Sequence, residues 1–154
     1  MYLVIILAIM FVLPLTLIGI NAFVLGAPLG AALFLQWFVF FAGGWRLFLA
    51  GIKQISQPGY TAKTILGVES EQSFILVREL GFANVSIGLM ALASLAVPAW
   101  QTAAALAAGV FYALAGINHL LQPGRNHLQN TAMITDLAAA ALLLTLGGLV
   151  MFAG

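Results

Sequence analysis

The sequence predicts an all-α integral membrane protein: a single bundle of five transmembrane helices over residues 1–154, amino terminus inside and carboxyl terminus outside. Three observations carry that reading. Of 154 residues, 64% are hydrophobic and only 6% are charged, whereas a soluble domain carries about 25% charged residues. The apolar residues gather into five stretches, each with roughly the 20 residues that a hydrocarbon core about 30 Å thick demands. Polar residues with Gly and Pro turn signals separate the stretches.

The first helix is expected from about Leu3 to Phe23, with Pro14 as a kink that neighbouring helices can accommodate. Met1 to Met10 lack a positive n-region and a convincing cleavage site follows nowhere nearby, so the stretch reads as a retained helix. Gly26, Pro28 and Gly30 mark the first turn. The second helix is expected from about Ala31 to Ile52, followed by a polar connection, Lys53 to Glu71, that contains Gln57-Pro58-Gly59. The third covers about Ser73 to Val97 and is ended by Pro98; the fourth covers about Trp100 to Leu121. Gln122-Pro123-Gly124 opens a polar loop to Asn130, and the fifth helix runs from about Ala132 to about residue 153. No domain boundary or internal repeat is visible, which weighs against an inverted-repeat transporter.

Small residues recur inside the spans: Ala42-Gly43-Gly44, Gly81, Gly88, Gly109, Gly116 and Gly147-Gly148. In lipid they let helix backbones approach closely. Lys53, Lys63 and Arg125 lie in the second and fourth connections, while the first and third connections carry no Lys or Arg. Positive charge marks the cytoplasmic side, which places the amino terminus inside. Tyr2, Tyr60 and Trp100 fall near the expected interfaces, where amphipathic aromatics prefer to sit.

A net charge of +1 without a basic stripe excludes nucleic-acid binding. The absence of cysteine excludes disulfides, thiol redox chemistry, iron–sulfur clusters and covalent c-type haem. His119 and His127 straddle a Pro-Gly turn and match no compact zinc spacing; both sit at one helix end, which does not suit bis-histidine haem. No phosphate-cradling glycine loop, nucleophile elbow or nucleophile–base pair is evident. No metal or cofactor is therefore expected, and a non-enzymatic role is favoured over an enzymatic one.

Arg46, Arg78, Glu79 and Asp136 fall within the spans, and His119 lies near the end of the fourth. Facing lipid at the bilayer centre, each charge would cost roughly 2.5–3.5 kcal/mol. Four would approach about 12 kcal/mol, comparable with the stability of a whole domain. Arg46 lies about six residues, or roughly 9 Å, from the inner end of its helix, and the others lie at similar or shallower depth. All five share one layer in the cytoplasmic third, and two cations, two carboxylates and an imidazole can be neutral if paired. Helical spacing groups Tyr112, Gly116 and His119 on one stripe, and Asp136, Ala140, Leu143 and Gly147 on a second. Glu79, Ala83, Ser86 and Met90 form a third. Arg78 and Glu79 are adjacent, about 100° apart, and cannot both point the same way. Gln36 and Asn84 lie deeper, and a buried amide needs a polar partner.

The run Ser73-Phe74, then Arg78-Glu79-Leu80-Gly81-Phe82-Ala83-Asn84, resembles the central motif of an uncharacterised bacterial inner-membrane family, a domain of unknown function. Gly116-Ile117-Asn118-His119, Asn126, Asn130 and Asp136-Leu137 match it further along. More distantly, the pattern from Arg46 to Gly81 is similar to DoxX-like proteins, small helical bundles. The resemblance covers about Gly44 to Leu143 and leaves the first helix outside. It implies a bacterial cytoplasmic (inner) membrane location. The DoxX-like part implies a membrane subunit beside a catalytic partner, in quinone-coupled redox or oxidative-stress complexes.

The expectation is an accessory or ligand-binding membrane subunit for a quinone or lipid. Glu79, Asn84, His119 and Asp136 would line a polar pocket, with Arg46 and Arg78 compensating the carboxylates or holding an anionic headgroup. The alternatives are a proton-coupled small-solute transporter, with Glu79 or Asp136 as carrier, and a purely structural assembly protein. The bilayer is the expected partner, joined by a larger membrane complex or further copies of the chain.

Overall fold

Five helices, each long and apolar enough to cross a membrane, make up most of a computed structural model that describes residues 2–153. They are α1 (Leu3–Phe23), α2 (Ala31–Ser56), α3 (Ser73–Ala93), α4 (Pro98–Leu121) and α5 (His127–Phe152). Their boundaries depart from the hydropathy pattern for local reasons. α2 continues to Ser56 and stops at Gln57, whose φ of −137° and ψ of 62° lie outside the helical region that the ring of the following Pro58 disfavours. The connection beyond it is not a simple loop: Pro58–Tyr60 forms a helical turn that runs on as a π turn, Thr61–Ile65. Pro98 does not merely end α3; it occupies the first turn of α4, where a missing N–H costs nothing. α5 starts at His127 rather than after Asn130. Asn126 Oδ1 accepts from the Gln129 N–H and Gln129 Oε1 accepts from the Asn126 N–H, both at 2.8 Å, a reciprocal cap.

Two spans contain π segments. In α1, Ala8–Val12 is π-helical just before Pro14, whose nitrogen has no hydrogen to offer the carbonyl of Met10. In α2, the π segment is Val39–Trp45. The core where these helices meet α4 and α5 includes Met10, Leu35, Val39, Leu47 and Leu143, all fully buried.

The second half of α2 packs against α3 through glycine on both sides. A Cβ on Gly51 would stand 2.6 Å from the Gly81 carbonyl oxygen, and one on Gly88 would stand 2.7 Å from the Phe48 nitrogen and 3.0 Å from the Gly44 oxygen. Between α4 and α5, Leu137 and Leu144 lie over Gly116 and Gly109. Gly44, Gly51, Gly81, Gly88, Gly109 and Gly116 thus sit at close helix contacts, the role small residues play between apolar helices, whereas Gly148 meets no neighbour.

This packing decides which stripes face inward. On α4, Tyr112, Gly116 and His119 are buried; on α5, Asp136, Ala140, Leu143 and Gly147 are buried. On α3 the inward face is Val77, Gly81, Asn84, Gly88 and Ala91, while Glu79, Ala83 and Ser86 are exposed. The glycine face wins because only it admits the α2 backbone.

The connections bearing Lys63 and Arg125 lie together, for Asn126 Nδ2 donates to the Thr64 carbonyl at 3.2 Å. Arg125 caps α4 by donating to the carbonyls of Leu120 (2.8 Å) and Gln122 (2.7 Å) and to Asn130 Oδ1 (2.9 Å). Tyr60 and Trp100 are exposed at the ends of their helices; the side chain of Tyr2 lies outside the described residues.

Gly51→Ala should lower the unfolding free energy in detergent by about 1–3 kcal/mol, because the added methyl has no room. Gly148→Ala, with nothing within 4 Å of its Cβ position, should stay within about 0.5 kcal/mol of the parent. Equal effects of the two would contradict the close α2–α3 contact.

Candidate functional site

The site is built around the end of the π segment in α2. The Arg46 N–H bonds the carbonyl of Phe41, five residues back, instead of that of Ala42. The Ala42 carbonyl instead accepts a hydrogen bond from the Tyr112 hydroxyl at 2.8 Å. One additional residue in a turn rotates all that follows by about 100°, and here it sets Arg46 inside the bundle, 9% exposed.

The guanidinium is met by α5. Nη2 donates to Thr135 Oγ1 at 2.9 Å and to Asp136 Oδ1, and Nη1 donates to the Thr135 carbonyl at 3.3 Å. Its carbon lies 4.5 Å from the centroid of the Tyr112 ring, on α4. Thr135 Oγ1 is itself oriented by donating to the Thr131 carbonyl at 2.8 Å. Asp136 is 8% exposed. The pair is therefore neutral as a unit, and extra hydrogen bonds complete the shell that a desolvated ion pair needs.

Beside this pair is a cavity of about 430 Å³ to which all five helices and the 57–66 connection contribute. Most of its wall is apolar, with Ile5, Ile6 and Ile9 from α1, Leu47 and Ala50 from α2, Leu80 from α3, and Phe111 and Ala115 from α4. Arg46, Asn84, Tyr112, His119 and Asp136 are among its polar residues, together with Gln54 and Thr61. Asn84, 3% exposed, donates through Nδ2 to Gln54 Oε1 at 2.8 Å, and its Oδ1 is buried without a protein partner. His119 is 7% exposed, and its Nδ1 is likewise buried and unpartnered. Where the wall reaches the surface stand Lys53 and Tyr60; Lys53 Nζ bonds Gln57 Oε1 and lies 4.7 Å from the Tyr60 ring centroid.

Of the six candidate residues, Arg46, Asn84, His119 and Asp136 come together around this cavity. Arg78 and Glu79 do not; both are exposed on the side of α3 turned away from α2. They do not lie on the face of α3 that carries Asn84. Asn84 finds its polar partner in Gln54. Gln54, Thr135 and the aromatic cover from Tyr112 are contributions the sequence reading did not single out. Gln54 lies eight residues after Arg46, on the same helical face, and reading α2 as ending at Ile52 hides that relation. Among the described residues, no group of three His, Asp or Glu side chains could hold a metal ion.

The chain belongs to a family of unknown function (DUF6790), whose model matches residues 2–152. The match extends over α1, beyond the reach of the motif resemblance. No curated protein and no solved structure matches the chain.

Removing one member of the central pair leaves a buried charge uncompensated. Asp136→Leu alone should cost about 3–5 kcal/mol of stability, and Arg46→Met with Asp136→Leu should recover most of that loss. Denaturant unfolding of the three variants in detergent tests this; a double variant as unstable as the single one would show that the pairing is not what matters.

Proposed function

We propose that this chain is a small multi-pass protein of the bacterial cytoplasmic membrane that binds an amphipathic molecule, a quinone or a lipid, in the cavity beside Arg46 and Asp136. Its role is that of an accessory or ligand-binding subunit in a larger membrane complex. The observation that carries this reading is the pair of buried, unpartnered polar atoms, Asn84 Oδ1 and His119 Nδ1, on two residues that line a cavity walled mainly by apolar side chains. Buried polar groups are nearly always hydrogen-bonded, and leaving one unsatisfied costs about 1–3 kcal/mol. An apolar recess with few polar groups is also what small-molecule sites look like, and its volume falls within their usual range.

The dense hydrogen bonding around Arg46 favours a structural role for that one pair: it joins α2 to α5 and fixes one wall. Polar contacts to a ligand then fall to Asn84 and His119. Positive charge supports a cytoplasmic placement for the end that carries Lys53, Lys63 and Arg125. The cavity, flanked at the surface by Lys53, would open toward the cytoplasmic leaflet. The bacterial location and the accessory role follow the motif resemblance, together with the lack of a nucleophile–base pair.

Protein purified from native membranes in mild detergent should carry a quinone or lipid near 1:1, identified by mass spectrometry. Asn84→Leu and His119→Phe should each lose most of it while remaining folded; undiminished retention in both would refute the proposal. Because the chain has no cysteine, orientation can be read from single-cysteine variants. An impermeant maleimide on intact cells should label Ala96→Cys and spare Lys63→Cys, and the reverse pattern would invert the topology.

A further inference from the structure

The polar groups of the cavity differ in what they have left to offer. Arg46 is charge-balanced by Asp136, donates to Thr135 and Asp136, and is covered by the Tyr112 ring. A phosphate or carboxylate approaching it would meet the Asp136 carboxylate and would have to break the pair. Gln54 and Thr61 also line the cavity, but the buried side-chain atoms of its lining that have no protein partner are Asn84 Oδ1, which can only accept a hydrogen bond, and His119 Nδ1, which accepts in one tautomer and donates in the other. Both belong to side chains more than nine-tenths buried. A ligand whose oxygens only accept, such as a ketone, an ether or an ester, would set oxygen against oxygen at Asn84.

We infer that the cavity selects an uncharged amphiphile that donates an O–H hydrogen bond, the chemistry of a hydroquinone or of a lipid alcohol such as diacylglycerol, with Asn84 Oδ1 as acceptor. This rests on the reading of the cavity as a ligand site. It adds a direction: a quinone-type ligand is held in its reduced form in preference to its oxidised form, and anionic phospholipids are disfavoured. The cation available to an anion is Lys53, at the surface, which gives the competing case its own signature.

The full chain is placed in phosphatidylcholine nanodiscs, and affinities are read from the concentration dependence of its unfolding temperature. Four probes are compared: decylhydroquinone under argon, its dimethyl ether, dioctanoylglycerol, and dioctanoylphosphatidylmethanol, an anion without a hydroxyl. At least one of the two hydroxyl probes should bind about tenfold tighter than the ether and the anion, the worth of one well-formed hydrogen bond. Whichever hydroxyl probe binds more tightly identifies the source. Asn84→Leu or His119→Phe should narrow the gap between hydroquinone and ether, and the comparison of probes on the parent protein stands even if a variant fails to fold. Equal binding of hydroquinone and ether would overturn the inference, leaving an apolar site without donor selection. Tightest binding by the anion, lost in Lys53→Gln, would also overturn it. If no probe shifts unfolding, the ligand reading itself falls.

Discussion

The pairing of Arg46 with Asp136 is the constraint around which the other contacts are arranged. A guanidinium and a carboxylate inside an apolar bundle are tolerable only together, and only when hydrogen bonds from Thr135 and the face of Tyr112 complete their surroundings. The pair fixes the register of α2 against α5, elements nearly a hundred residues apart in the chain. α4 enters the same junction twice, through the Tyr112 ring over Arg46 and the Tyr112 hydroxyl on Ala42. α2 is thereby the common wall: its first half packs on α5, its second half on α3, and its π segment lies between them.

Glycine does on one side of α2 what charge does on the other. Gly44 and Gly51 face Gly88 and Gly81 across an antiparallel contact tight enough that single methyl groups do not fit. Asn84 lies on α3 between the two glycines, so its amide is carried on a backbone that cannot shift without separating the helices. Donation to Gln54 sets the orientation of that amide and leaves Oδ1 buried without a protein partner. An amide supported this way is held rigidly, so the proposed binding would carry a low entropic cost.

Much of this arrangement is written plainly in the chain. Hydropathy locates the five helices, and the spacing of Tyr112, Gly116 and His119, and of Asp136, Ala140, Leu143 and Gly147, identifies the inward faces of α4 and α5. α3 is different because two stripes compete on it. Charge draws attention to Glu79, while Gly81 and Gly88, seven residues apart, mark the true contact. Close backbone approach between apolar helices outranks polarity here, and the Glu79 carboxylate is left on the exposed side of α3. The start of α5 was legible from Asn126 and Gln129, a reciprocal cap that hydropathy alone obscures. Gln54 was hidden because the polar end of α2 reads as loop. The facing of Arg46 could not be obtained from a period of 3.6 at all, since the π segment breaks the period just before it.

That break carries an evolutionary consequence. A π segment takes up one residue more per turn than the α-helix on either side of it. Removing one residue between Phe38 and Arg46 would restore an ordinary helix and swing the guanidinium by about 100°, away from Asp136 and Tyr112. The buried charge site is therefore separated from a featureless apolar bundle by a change of length and not of side-chain type. Such a site is gained or lost by insertion or deletion in a single step, with every residue that composes it left in place.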